Sequence, residues 1–176
     1  LSGAFDLQMR TGNNEKHEFI AQLGFNGLEF GAEGPIKKGG ASYLVDYRYS
    51  TLKIFHAAGI DLGTGSAQPD YQDITFNLNV PVKKGKLTLF GIAGKSYAEI
   101  IDADTDSTEE NIYDNNMRQN GQFGTNMGVV GLQQTMLLND NSYAKLTVSA
   151  STSGQNYKVD SIGTFDNSVH PWYRNN

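Results

Sequence analysis

A chain of 176 residues with 14 Lys and Arg against 19 Asp and Glu carries a net charge of −5, and 38% of it is hydrophobic, which excludes a disordered chain and a basic nucleic-acid binder. The absence of cysteine excludes a disulfide scaffold and a thiolate-held zinc or iron–sulfur centre. Only 19% of residues are charged, so the polarity lies in Asn, Gln, Ser, Thr and 20 Gly, a composition that suits pleated surfaces better than charged helices.

Along the chain the dominant period is two. Phe5, Leu7 and Met9 alternate with Asp6, Gln8 and Arg10, predicting a strand over 4–11 that ends in the turn formers Thr11-Gly12-Asn13-Asn14. Phe19, Ala21, Leu23 and Phe25 then share one face, with Ile20 the exception among Glu18, Gln22 and Gly24. The phase slips at Asn26-Gly27, after which Leu28, Phe30 and Ala32 alternate with Glu29, Gly31 and Glu33; an Asn-Gly pair between such runs predicts a hairpin, with a β-bulge at Gly27 as the alternative.

Gly34-Pro35 and Lys37-Lys38-Gly39-Gly40 lead into a strand with Tyr43, Val45, Tyr47 and Tyr49 on one face and Leu44, Asp46, Arg48 and Ser50 on the other. A long connection, 51–70, follows; its first part could form a short helix, and its second is rich in Gly, Ser and Pro. From Gln72, Ile74, Phe76, Leu78, Val80 and Val82 oppose Asp73, Thr75, Asn77 and Asn79. After Lys83-Lys84-Gly85-Lys86 comes a blurred strand, 87–101, then a second long, acidic connection, 102–121. A strand over 122–138, a turn at 139–141 and a strand from Tyr143 complete the readable pattern, and 154–176 is too weakly patterned to assign.

The expected fold is therefore all-β, with antiparallel up-and-down strands, short turns at one end and long loops at the other. No segment offers the roughly 18 or more apolar residues of a spanning helix. The longest uncharged run, Gln119 to Asn139, holds four Gln and three Asn. That excludes a helical membrane protein but not an outer-membrane β-barrel, whose lipid face takes only alternate residues. Two architectures satisfy the pattern. In a soluble β-sandwich the apolar face is the core. In a barrel, Phe19, Leu23, Phe25, Phe30, Tyr43, Tyr47, Ile74, Phe76 and Leu78 face lipid, while Gln22, Glu29, Asp46, Arg48, Asp73, Asn77 and Asn79 line a polar lumen. The row Tyr43, Tyr47 and Tyr49, with Tyr71 across the loop, fits an interfacial aromatic girdle.

Candidate chemistry is sparse. Asp102, Asp104 and Asp106 resemble the opening of a calcium loop, but Ser107 and Tyr113 stand where that loop needs Gly and Glu. His17, His56 and His170 have no metal-ligand spacing. The glycines at 24, 27, 31 and 34 form no phosphate loop, since no helix follows. Neither an enzyme nor a cofactor is expected.

The stretches Ser2-Gly-Ala-Phe-Asp-Leu-Gln-Met-Arg-Thr-Gly-Asn-Asn, Gln22-Leu-Gly-Phe-Asn-Gly-Leu-Glu-Phe-Gly-Ala-Glu-Gly-Pro-Ile, Ala41-Ser-Tyr-Leu-Val-Asp-Tyr-Arg-Tyr-Ser-Thr-Leu and Tyr71-Gln-Asp-Ile-Thr-Phe-Asn-Leu-Asn-Val-Pro together resemble the TonB-dependent outer-membrane receptors, particularly those of Bacteroidetes-like bacteria. The resemblance covers about the first 100 residues well and the rest only in rhythm. It implies that 1–14 are the end of a plug domain and 15–176 the N-terminal segment of the barrel, about seven strands. It further implies that 51–70 and 102–121 are extracellular loops and that the Lys-rich turns are periplasmic. The implied function is energised uptake of a scarce solute, whether siderophore, glycan or peptide, with a TonB partner acting through the plug and outer-membrane lipid around the wall. Seven strands cannot close a barrel of about 22, so the chain is expected to be a piece of a longer parent that self-associates when isolated. The alternative function is a soluble sandwich that binds through the two long loops.

Overall fold

The computed structural model describes residues 8–24, 27–50, 59, 70–100, 119–162 and 169–175. They form one antiparallel sheet of eight strands in chain order, β1 (Glu18–Gly24), β2 (Gly27–Pro35), β3 (Ser42–Tyr49), β4 (Asp70–Val82), β5 (Gly85–Ile100), β6 (Gln119–Asn139), β7 (Ser142–Ile162) and β8 (Val169–Asn175). Every neighbour is the next strand in sequence, and the sheet is open, with β1 and β8 at its edges. The up-and-down order is thus as the alternation predicts, with a single layer among the described residues.

Connections at one end are short, 36–41, 83–84 and 140–141; those at the other are 25–26, 50–69, 101–118 and 163–168. The first hairpin closes with Gly24 opposite Gly27, so its two loop residues are 25 and 26, one position earlier than an Asn-Gly centre. Gly27 is the first residue of β2, where a Cβ would lie 2.6 Å from the Tyr49 carbonyl oxygen. At the β2–β3 turn Gly39 takes φ +69, and Gly40 N–H donates to the Lys37 carbonyl at 2.8 Å.

Three sequence expectations change. Residues 8–11 carry no strand; they run as an irregular segment over the sheet. β6 begins at Gln119 rather than 122, and the tail assigned no structure supplies the upper part of β7 and all of β8, giving eight strands instead of about seven. The reason lies in the faces. Above Thr152 the aromatic and apolar residues of β7, Tyr157 and Val159, sit on the side that is polar lower down, so the alternation persists with its phase inverted and averages out. β8 is an edge strand with Pro171 and a bulge opposite Val159–Asp160, the positions where a sheet tolerates both. The calls on 4–7, on Phe25, on a helix after 51 and on most of both long loops lie outside the described residues.

The register sorts the side chains into two faces. One carries Phe19, Leu23 and Phe30, then Tyr43, Val45 and Tyr47, Ile74 to Val82 at every second residue, Leu87 and Leu89, Val130 and Leu132, and Leu146 and Val148. The other carries Glu29, Glu33, Asp46, Arg48, Asp73, Asn77, Asn79, Thr88 and the Ser/Thr row of β7. Phe76 covers Gly91 on the apolar face and Phe90 covers Gly131 on the polar face; a Cβ at Gly131 would lie 2.3 Å from the Phe90 ring. Gly131→Val is therefore expected to displace that ring and cost about 1–3 kcal/mol in a denaturant titration. Gly121→Ala, with nothing within 4 Å of its Cβ, should stay near the parent.

Candidate functional site

The covered side of this sheet is the polar one. Among the described residues the buried polar side chains are Glu33, Ser42, Ser50, Asn77, Asn79 and Thr88, whereas Val159 is the one buried hydrophobic residue. The apolar side is open: Phe19 is 75%, Leu23 69%, Leu132 46% and Val148 67% exposed. A sheet protein surrounded by water has the reverse distribution, because apolar area is what folding removes from water.

What covers the polar side over β1–β4 is the segment before β1. The Arg10 guanidinium donates to both Glu33 carboxylate oxygens at 2.6 and 2.7 Å, and the Asn13 N–H donates to Glu33 Oε2 at 2.8 Å. The bond to Glu33 holds the Arg10 pKa above its ordinary value, against an opposing desolvation. Asn77 Nδ2 donates to the Arg10 carbonyl at 3.1 Å, Asn79 Nδ2 to Asn77 Oδ1 at 2.8 Å, and Thr88 Oγ1 to Asn79 Oδ1 at 3.0 Å, a relay running from β5 across β4 to the segment. Gly12 is buried against β3, where a Cβ would lie 2.0 Å from the Tyr43 carbonyl oxygen, so only glycine allows this approach. Between segment and sheet lies a cleft of about 300 Å³, lined among others by Met9, Arg10, Ile20, Glu29, Leu44 and Asp46. Ile20, the exception to its strand's alternation, thus has an apolar neighbourhood on the polar side.

Gln22, Glu29, Asp46, Arg48, Asp73, Asn77 and Asn79 all fall on the polar face. Arg48 donates through Nε and Nη2 to Asp73 Oδ2 at 3.0 and 2.9 Å. Phe19, Leu23, Phe30, Tyr43, Tyr47, Ile74, Phe76 and Leu78 all fall on the apolar face, and Phe25 lies outside the described residues. The tyrosine row needs correction. Tyr71 is on the polar face, since its neighbour Gln72 pairs with Tyr49, and its ring lies 5.5 Å beneath the Arg48 guanidinium. Tyr43 sits by the short turn and Tyr49 by the long connection, so these rings mark opposite ends of β3. Tyr47 Oη donates to Gln72 at 3.0 Å, and Tyr43 Oη lies 3.1 Å from His17 Nδ1.

Sequence reasoning left Arg10 and Glu33 out of the site, although Glu33 shares the phase of Glu29. Their pairing joins residues 23 apart, which alternation cannot reveal. Asp102, Asp104 and Asp106 lie outside the described residues, and among the described residues no group of three His, Asp or Glu is placed to hold a metal ion. No helix among them is long and apolar enough to cross a membrane. Comparison with family models, with curated proteins and with solved structures finds no match to this chain.

Proposed function

We propose that this chain is a stretch of the wall of a TonB-dependent outer-membrane receptor, residues 1–14 ending its plug and 15–176 starting its barrel. The observation that carries the reading is the inverted sheet: over β1–β4 the polar face is covered by the segment that precedes β1, and the apolar face is bare. Read this way, the bare face meets lipid, the polar face lines the lumen, and the Arg10–Glu33 pair joins plug to wall.

The dimensions agree. On β4 the apolar alternation runs from Ile74 to Val82, nine residues, the low end of the roughly 9–11 of a tilted spanning strand. The upper limit of the band descends from Leu23–Leu28 on β1–β2 to Val130–Ala150 on β6–β7, a slope expected where strands cross an apolar slab at an angle. Above it, β6 and β7 turn polar on this face at Asn126, Asn156 and Lys158, as a wall projecting beyond the membrane would. In this reading the whole receptor takes up a scarce solute, energised by a TonB partner that acts on the parent's plug. The chain described here supplies wall and lumen, and no catalytic step.

The test is partitioning of the purified chain. It is expected to require detergent or lipid for a dispersed, strand-rich state, and to self-associate in water through its bare face and open edges. A monodisperse monomer that folds cooperatively without detergent would overturn the proposal in favour of a soluble binding module.

A further inference from the structure

The polar face is divided. On β1–β4 it carries Glu29, Glu33, Asp46, Arg48 and Asp73. On β5–β7, between Thr88 and Ala98, Gly121 and Gln133, and Thr147 and Ser161, it carries no Asp, Glu, Lys or Arg among the described residues. At the long-connection end of this neutral half three rings form a strip across three strands. Phe123 and Tyr157 are a register pair with centroids 6.3 Å apart, and Tyr173 follows at 6.2 Å from Tyr157. All three are open, at 43%, 43% and 51% exposure. Below them on the same face of β7 stand the exposed side chains of Ser151, Ser153 and Gln155.

We propose that this strip is a binding platform for a neutral saccharide. A sugar ring offers an apolar C–H face and a rim of hydroxyls. The exposed parts of the three rings, which meet at 67° and 51° rather than lying flat together, take the first, and Ser, Gln and the Tyr157 hydroxyl take the second as donors and acceptors without any charge. The other ligand classes fit less well. A phosphate-bearing or anionic ligand calls for cations, which this half lacks and which the other half holds outnumbered by carboxylates. An extended peptide is gripped by main-chain pairing at a sheet edge, whereas two of the three rings stand on the interior strands β6 and β7, and in the receptor reading the next strand of the wall pairs with the β8 edge. The proposal rests on the receptor reading for its orientation, since only a lumen-facing strip would meet a solute entering from outside. It assigns the chain to the glycan class of that scaffold.

The experiment titrates the full chain, folded in detergent micelles, with maltohexaose, cellohexaose and mannohexaose, followed by calorimetry and by tyrosine fluorescence. Saturable binding of at least one is expected. Tyr157→Ala and, independently, Phe123→Ala should each weaken it by about tenfold, the loss of one stacked ring. Tyr157→Phe, which keeps the ring, should stay much closer to the parent. No saturable binding of any of the three by the folded chain overturns the proposal, as does binding that survives both ring removals. Failure of the receptor reading looks different: a chain that is folded and monomeric without detergent yet binds sugar through Tyr157 keeps the platform and loses the membrane.

Discussion

Leu132→Arg is expected to cost the chain about 1–3 kcal/mol of stability in a lipid bilayer, while Gln133→Arg, the next residue, costs close to nothing. Leu132 lies on an interior strand, between Leu89 on β5 and Val148 on β7, inside the apolar band and two residues below its upper limit at Val130. An arginine there must either leave its guanidinium in hydrocarbon or bend its stem towards an interface. Gln133 points to the opposite face, where Thr147 Oγ1 donates to its side-chain oxygen at 3.3 Å and a charge remains hydrated. Urea titration of both variants in preformed vesicles measures the difference. Equal costs, or a larger cost at Gln133, would assign the faces the other way round. A one-residue shift with so large a difference follows directly from the period of a strand: neighbours in sequence belong to different solvents.

Glu33→Ala removes the anchor of the segment that lies over the polar face, and is expected to lower the free energy of opening that segment by about 1–3 kcal/mol. Three charge-assisted hydrogen bonds end on this carboxylate, two from Arg10 and one from the Asn13 amide. The Glu33 side chain is 10% exposed, but that of Arg10 is 62%, so water screens one end of the pair and holds the figure below that of a fully buried ion pair. Hydrogen exchange reads the effect at two amides. Asn13 N–H should lose protection by roughly tenfold or more, and so should Gly39 N–H, which donates to the Asn14 carbonyl at 2.8 Å. Glu33→Gln keeps an acceptor for Asn13 while removing the charge opposite Arg10, and should fall between the parent and Glu33→Ala. Unchanged exchange at Asn13 in Glu33→Ala would mean that Gly12 packing and the Asn77 bond hold the segment unaided. If the receptor reading holds, this contact is one the plug must break to move, so its strength bears on transport as well as on folding.

The strand pattern was legible wherever one face of a strand is apolar and the other polar. Ile74 to Val82 and Tyr43 to Tyr49 show it without a break, and their register is as their alternation requires. The two-faced character of seven Gln22-type polar positions and of the apolar positions from Phe19 to Leu78 was legible for the same reason. Legibility ended where that apolar face ends. From Gly154 onward β7 keeps its alternation with the phase inverted, and β8 carries Pro171 and a bulge, so neither continues the signal of the strands before it. Tyr71 does not share the face of Tyr43, Tyr47 and Tyr49, although the four rings look like one girdle in sequence; the alternation of its own strand, counted back from Asp73, puts it on the polar side.

Period-two alternation, an even rhythm of short and long connections and the lack of any long apolar helix were enough, by themselves, to make this chain an antiparallel meander with two chemically distinct faces. They could not say which face is covered, because a sandwich core and a lipid-facing wall are written with the same alternating residues. Only the tertiary structure decided that, by laying Arg10, Gly12 and Asn13 across Glu33, Tyr43 and Asn77 on the polar side. It also brought Phe123, Tyr157 and Tyr173 into one strip from positions 34 and 16 residues apart, given by 157 − 123 and 173 − 157. Both are contacts between residues far apart in the chain, set by strand pairing and register, and local sequence pattern carries no record of them.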